Sequence, residues 1–465
     1  MKDTNIKYQI SNIKYLILLF LIVIVHVFAL SKLLFFPYPE LFVYPYLANH
    51  GLLPYKQIFD QHFPGLLFLP LNFEVLGLTN EYIARFWQYG LLIMTQVLLF
   101  FVSAKLFKNY FKALAVCFLY LLWQPFFQGW VLWINNFLTI FYLLAFYFAV
   151  RSLKENKNGY DVFLTGFILA VATVFKQVAI PLAGLVFLYL LYWKRSFQTI
   201  KNYCFGFLIP IIGMLGYLAS IGVLKDFWFW TVQFNLTTYA TLGGSVPEAV
   251  SVKRIVGVSL PTILSLFDQD KKYIYLVIVF FTGSFLAGGN NFDFTYFQPA
   301  LPYVCIATIY GFNWLIKKKI GWLMIGIYFI VCLRWLMPFY QSHTQEYVYY
   351  FDADTKSAAI SVKQLTRPGE EIFVYGVTPL MYQMTETLPA GKVFVYQFPW
   401  FLADAGERIY HGLIESKPRI IVSDPTVQTK GRKITDFAPQ LYNYIYAHYQ
   451  LKAKIGTIEI LERKD

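Results

Sequence analysis

The sequence predicts an α-helical polytopic membrane protein with a small α/β domain after its last span. Three observations carry this. Hydrophobic residues make up 58% of the chain and charged residues only 14%, with a mean hydropathy of +0.51; a soluble core cannot absorb that much apolar surface, whereas a bilayer can. The apolar residues fall in runs long enough to cross a hydrocarbon layer of about 30 Å. Beyond Tyr340 the pattern changes: basic and acidic residues balance at fourteen each, and short β-rich stretches alternate with helical ones.

Residues 1–14 are polar and basic, and Tyr15 to Phe36 is the first apolar run. It is too long for a signal-peptide core and reads as an uncleaved anchor. His26 inside it reads as a packed, bundle-facing side chain rather than a ligand. Further runs lie near 86–106, 112–127, 135–151, 162–177, 179–193, 203–222, 254–267, 273–289, 298–316 and 320–339, for about eleven spans in all. The run at 112–127 closes on Trp123-Gln124-Pro125 and the run at 254–267 contains Pro261, so either can be tilted or re-entrant. Cys117, Cys204, Cys305 and Cys332 all sit in apolar runs, with no zinc spacing and no disulfide framework.

Charge orients the spans. The net charge of +13 resides in the first 339 residues, because the tail is neutral. With the N-terminus in the cytoplasm, every second loop is short and basic: Lys105, Lys108 and Lys112; Arg151, Lys154 and Lys157; Lys194, Arg195 and Lys201; Lys271 and Lys272; Lys317 to Lys319. This is the positive-inside signature, and it removes the need for a nucleic-acid partner. The odd span count then leaves the C-terminal domain, 340–465, outside the cell membrane, with 1–339 as the transmembrane domain. Segments 37–85, 223–253 and 290–297 become external loops. In the tail, 371–375, 392–396, 419–423, 449–455 and 457–461 read as strands, and 355–366, 402–416 and 436–448 as helices.

The external segment Phe36 to Gly65, FPYPELFVYPYLANHGLLPYKQIFDQHFPG, carries two carboxylates, Glu40 and Asp60, with His62 close by. Carboxylates in a loop beside a membrane bundle suit a general base that takes a proton from an acceptor hydroxyl as a phosphate leaves. Solvated loop carboxylates are the simpler alternative. Asp60, His62 and Glu40 together form an O,O,N set able to hold a divalent ion such as Mg²⁺ or Mn²⁺, although loop polarity explains them as well. No P-loop, dinucleotide fingerprint, nucleophile elbow or HExxH stretch occurs.

This segment resembles the first external loop of the GT-C membrane glycosyltransferases, in particular bacterial relatives of the protein O-mannosyltransferases and of the lipid A aminoarabinose transferase. The matching residues are Pro39-Glu40, then Leu53-Pro54-Tyr55, then Phe59-Asp60-Gln61-His62-Phe63-Pro64-Gly65. Pro39 stands where the family has the first Asp of an Asp-Glu pair, and Gln61-His62-Phe63-Pro64 stands where it has His-Lys-Pro-Pro. Further along, Arg85 opens the second span, and Trp133-Ile134-Asn135-Asn136-Phe137 carries Asn135 where an acidic residue is common. Gly166 leads the span that ends in Lys176-Gln177. Asp226-Phe227-Trp228 with Phe234-Asn235-Leu236 resembles a later external loop, and Tyr296-Phe297-Gln298-Pro299 a His-Tyr-Phe segment with Thr295 in the His position.

The resemblance implies an inverting glycosyltransferase that takes its sugar from a polyprenyl-phosphate donor and passes it to a lipid, glycan or protein acceptor. Glu40 or Asp60 would be the base, and Lys176 and Arg85 would bind the donor phosphate, with His62 and Gln177 as neighbouring polar residues. Lys176 has its own argument: an ammonium at the end of a span snorkels or meets an anion. Arg85 carries a fork suited to phosphate. A transporter or lipid flippase, which would show paired half-repeats and mid-membrane charges, and a non-catalytic relative are the alternatives.

Overall fold

The structure, a computed structural model, describes residues 2–154, 159–244, 248–286 and 293–464. Lys157, the end of the 273–289 run and the start of the 290–297 loop lie outside the described residues. Contacts divide the chain into two units: Met1–Phe35, Arg85–Gly213 and Ser245–Tyr347 form the first, and Phe36–Ala84, Met214–Gly244 and Val348–Asp465 the second.

The first unit is a helical bundle. Each of the eleven apolar runs contains a helix: Lys2–Ser31, Glu81–Phe107, Tyr110–Gln124, Ile134–Lys154, Gly159–Phe175, Ile180–Lys194, Phe197–Ser220, Ala249–Leu264, Lys271–Phe285, Leu301–Leu315 and Gly321–His343. Among the described residues eight spans are long and apolar enough to cross a membrane on their own, and Gly159–Phe175 and Leu301–Leu315 are shorter. This is an integral membrane protein. Leu301–Leu315 is buried on nearly every side, the mark of a bundle's central helix. It packs on Tyr110–Gln124, Ala249–Leu264 and Lys271–Phe285. The helices Lys2–Ser31, Phe197–Ser220 and Gly321–His343 instead expose Phe20, Phe28, Phe205, Ile212, Trp322 and Ile330, as lipid-facing helices do.

The histidine inside the bundle is matched. His26 is fully buried between Gln124 Oε1 at 3.0 Å and Gln96 Nε2 at 2.9 Å, a packed histidine as expected. Gly166 and Gly206 let two helices touch: a Cβ at Gly166 would lie 2.4 Å from the Tyr203 carbonyl oxygen, and one at Gly206 2.2 Å from that of Phe163. Small residues allow this approach in lipid, where apolar burial alone does not drive helices together.

The basic loops gather at one end of the bundle. Lys154 Nζ donates to the Lys105 carbonyl at 2.8 Å, Lys194 Nζ to that of Ser152 at 2.7 Å, and Lys272 Nζ to that of Leu153 at 3.0 Å. At the opposite end Arg85 binds the Leu33 carbonyl, and the Gln345 N–H binds that of Lys32. The alternation of loops read from charge is therefore reproduced in space.

The second unit joins the helix Glu40–Asn49, the loop that follows it and the segment Leu224–Leu242 to an α/β domain. The domain's five-stranded sheet runs Leu388–Pro389, Glu371–Tyr375, Ile420–Ser423, Ile458–Arg463, Tyr449–Ile455. The first three pair in parallel and the last two antiparallel. Helices Ala353–Leu365, Pro399–Ser416 and Pro439–His448 accompany it. One expected strand is absent from the sheet. Gly391 and Lys392 take positive φ (65° and 52°) and turn the chain aside. The extended residues 393–396 then bond elsewhere: the Phe394 N–H donates to the Gln57 carbonyl at 2.7 Å, and the Phe59 N–H to that of Phe394 at 3.0 Å.

Candidate active site

In the second unit the carboxylates meet around one phenol. Glu40 is the first residue of the helix Glu40–Asn49, where the helix dipole favours a negative charge. Tyr44 lies one turn later on the same face. Its hydroxyl donates to Asp60 Oδ1 at 3.1 Å. Burial, then the charges of Asp60 and Glu40, hold the Tyr44 hydroxyl well above the ordinary phenol range, so it remains a donor. Both carboxylates thus act on one buried group.

Asp60 is 2% exposed. It also accepts the His62 N–H at 3.0 Å, and His62 Nδ1 stands 3.1 Å from its Oδ2. The loop is pinned on every side. The Tyr55 hydroxyl donates to the His62 carbonyl at 2.9 Å, and Asn235 Nδ2 to that of Gln61 at 2.9 Å. Phe59 stacks on Trp230, and Phe63 and Tyr55 pack on Phe227. The Asp226–Leu236 stretch is therefore a brace for the Asp60 loop. Among the described residues no three His, Cys, Asp or Glu side chains converge as a metal site. The Asp60–His62 pair supplies two donors that face each other, which does not amount to a cage for Mg²⁺ or Mn²⁺.

In the first unit Lys176 occupies a break between two apolar helices. Gly159–Phe175 ends just before it, Lys176 is extended (φ −161°, ψ 124°), and a single 3₁₀ turn from Gln177 leads into Ile180–Lys194. Irregular backbone between apolar helices persists where it is buried in protein or lines a cavity. The ammonium is 2% exposed. It donates to Asn135 Oδ1 at 3.1 Å and lies 4.4 Å from the Tyr296 ring centre and 5.7 Å from that of Trp133. These groups attract a cation and carry no formal charge themselves. Asn135 is itself buried, and its Nδ2 has no hydrogen-bond partner among the described residues. Amide N–H groups and ammonium groups both donate to oxyanions.

Arg85, in the first turns of Glu81–Phe107, donates to the Leu33 carbonyl at 2.7 Å and to Gln88 Oε1 at 3.0 Å, over the Phe35 ring at 4.4 Å. Part of its fork is therefore committed to clamping the two helix ends. Trp87, Phe137 and Phe175 form an aromatic row from the Arg85 helix to the residue before Lys176.

The Glu40, Asp60 and His62 group is thus assembled in the second unit, and Lys176, Gln177 and Arg85 lie in the first. Sequence reasoning passed over Tyr44, Tyr396, Asn135 and Tyr296 as site residues. Tyr44 had a legible signal, its spacing of four from Glu40. Asn135 and Tyr296 lay in family-like segments, but only the fold brings them to Lys176.

No known family's sequence profile and no curated protein sequence matches the chain. Solved structures do. The chain is similar to ArnT from Cupriavidus metallidurans in the apo state, with a TM-score of 0.64, 11% identity, and coverage of 97% of this chain and 98% of that one. It is equally similar, at 0.64 and 12% identity over 96% and 98%, to the same protein bound to undecaprenyl phosphate. It is also similar to the archaeal oligosaccharyltransferase AglB from Archaeoglobus fulgidus in complex with an inhibitory peptide and a dolichol-phosphate, at 0.53, 10% identity, 96% and 74%. Over almost its whole length, the chain has the fold of the GT-C membrane glycosyltransferases.

Proposed function

We propose that the protein is an integral-membrane glycosyltransferase that moves a sugar from a polyprenyl-phosphate carrier to an acceptor hydroxyl at the extracytoplasmic side. The observation that carries the reading is the buried Tyr44 phenol hydrogen-bonded to Asp60, with Glu40 one helical turn before it, in a chain of this fold. ArnT has been seen with undecaprenyl phosphate and AglB with dolichol-phosphate, and the carrier class follows from that likeness.

Each unit has one task. In the second, a carboxylate takes the proton of the acceptor hydroxyl as its oxygen bonds to the sugar's anomeric carbon. Glu40 is that base in this reading. Asp60, whose two oxygens already hold Tyr44 and His62, orients the loop and the acceptor. In the first unit Lys176, with the Asn135 amide and Arg85, receives the phosphate. The bond from the anomeric carbon to the phosphate oxygen breaks, the polyprenyl phosphate leaves as an anion, and the anomeric centre is inverted. No step is assigned to a metal. The N-terminus and the basic loops are cytoplasmic and residues 340–465 form an external domain, on the positive-inside argument.

The test is a single-turnover comparison of Glu40→Gln and Asp60→Asn with one donor and one acceptor. Glu40→Gln should lose roughly a hundredfold or more in rate with donor binding retained, and Asp60→Asn should be impaired less. A dead Asp60→Asn beside a near-normal Glu40→Gln exchanges the two roles; full activity in both removes this loop from the chemistry.

A further inference from the structure

Tyr396 lies far from Glu40 in sequence, within the C-terminal domain. Its ring meets that of Tyr44 edge-on at 5.8 Å between centroids and is flanked by Phe394 and Phe398. The residue is 8% exposed, and its hydroxyl has no hydrogen-bond partner among the described residues. Native proteins rarely leave a buried hydroxyl unsatisfied, and the exceptions cluster where a ligand or water completes the bond. Its place is not accidental. Two residues earlier, the Phe394 backbone is bonded on both sides to the loop leading into Asp60, through the Gln57 carbonyl and the Phe59 N–H.

We infer that Tyr396 is an acceptor-binding residue: its hydroxyl donates to an oxygen of the acceptor adjacent to the hydroxyl that Glu40 or Asp60 deprotonates. The inference rests on the glycosyltransferase reading and deepens it. Burial, then the fields of Glu40, Tyr44, Tyr350 and Asp60, keep the phenol protonated, so it can only be a donor toward a negative neighbourhood. Donation to the attacking oxygen itself would tie up the lone pair that must reach the anomeric carbon. A neighbouring oxygen is the productive partner, and an acceptor with vicinal oxygens, as a sugar ring has, supplies one. A lone serine or threonine hydroxyl does not. The C-terminal domain thereby takes part in choosing the acceptor, and the acceptor is a carbohydrate.

The experiment uses the full-length protein in cells of its source lacking the chromosomal copy. These are complemented with wild type, Tyr396→Phe or Glu40→Gln at matched membrane levels, and envelope glycans, glycolipids and glycoproteins are compared by mass spectrometry. The purified proteins are then compared for thermal stability and for binding of undecaprenyl phosphate. Tyr396→Phe deletes one oxygen. It should cut the sugar modification about tenfold or more, as the loss of a hydrogen bond built for a substrate oxygen does. Undecaprenyl phosphate binding should be unchanged, and thermal stability unchanged or higher, since an unsatisfied buried hydroxyl is removed. The lost modification should be on a sugar residue. Wild-type modification in Tyr396→Phe overturns the inference alone. So does a lower melting temperature with loss of protein, which makes the phenol structural, or weakened undecaprenyl phosphate binding, which moves it to the donor. A modification found on serine or threonine overturns the carbohydrate assignment. No envelope difference between the deletion strain and wild type overturns the glycosyltransferase reading, and this inference falls with it.

Discussion

Replacing Lys176 with methionine separates a phosphate-binding ammonium from a merely structural one. Methionine keeps most of the length and the apolar stem and removes the charge. In the free protein Lys176 is 2% exposed, and the Asn135 amide oxygen and the Tyr296 and Trp133 rings are among the groups that meet its ammonium. Losing desolvated cation–π contacts costs up to about 2 kcal/mol, while removing a buried ion relieves a desolvation penalty of several kcal/mol. Stability should therefore hold or rise. Toward the donor the balance is different. A hydrogen bond to a charged group contributes about 1.5–3 kcal/mol, so the dissociation constant for undecaprenyl phosphate should weaken by roughly 10- to 150-fold. Native mass spectrometry or a fluorescence titration in detergent, alongside a thermal melt, reads both quantities. Lys176→Arg keeps the charge and should recover part of the affinity. An affinity within twofold of wild type together with a lowered melting temperature would refute the argument and make Lys176 a packing residue.

Two further outcomes bear on the membrane domain. In a Cys204→Ser background, where Cys117, Cys305 and Cys332 are buried, cysteines at the exposed positions Ser342 and Gln428 should react with an impermeant maleimide in intact cells whose outer barrier is open. One at Lys108 should react only after lysis, and the reverse pattern inverts the topology. Gly166→Ala should destabilise the bundle by about 1–3 kcal/mol, because its Cβ would lie 2.4 Å from the Tyr203 carbonyl oxygen. Gly184→Ala, where nothing lies within 4 Å, should be neutral in the same melt, and equal effects would show that helix crossing is not what Gly166 provides.

The bundle was legible in the sequence because the bilayer constrains it so tightly. A span must satisfy its backbone internally and stay apolar for its whole length, so a run such as 203–222 announces its helix, here Phe197–Ser220. Charge carries the next level. Lys105, Lys154, Lys194 and Lys272 are scattered along the chain, yet the positive-inside rule assigns them to one side, and they converge at one end of the bundle, Lys105 on the Tyr147 hydroxyl and the other three on backbone carbonyls. The tail obeyed a weaker rule. Lys392 to Tyr396 has the composition of a strand, but composition cannot say which edge an extended segment will pair with. Two positive φ angles before it sent it to the Asp60 loop instead of the sheet.

The site was legible only where its residues lie close in sequence or repeat a known order. Glu40, Asp60 and His62 stand within one loop, and the order of Leu53-Pro54-Tyr55 before Asp60 made it recognisable. What the chain order hides is the second half of each binding group. Asn135 and Tyr296 reach Lys176 from positions 41 residues before it and 120 after, and Tyr396 reaches Tyr44 from the far end of the chain. In the sequence, Asn135 is notable only as standing where the resembled family commonly has an acid. Beside a buried lysine the asparagine has a physical consequence: a carboxylate there would pair with the ammonium, whereas the amide oxygen accepts from it and leaves the buried Nδ2 without a hydrogen-bond partner among the described residues. In the proposed donor site a neutral amide at 135 admits a phosphate that a carboxylate in the same place would repel.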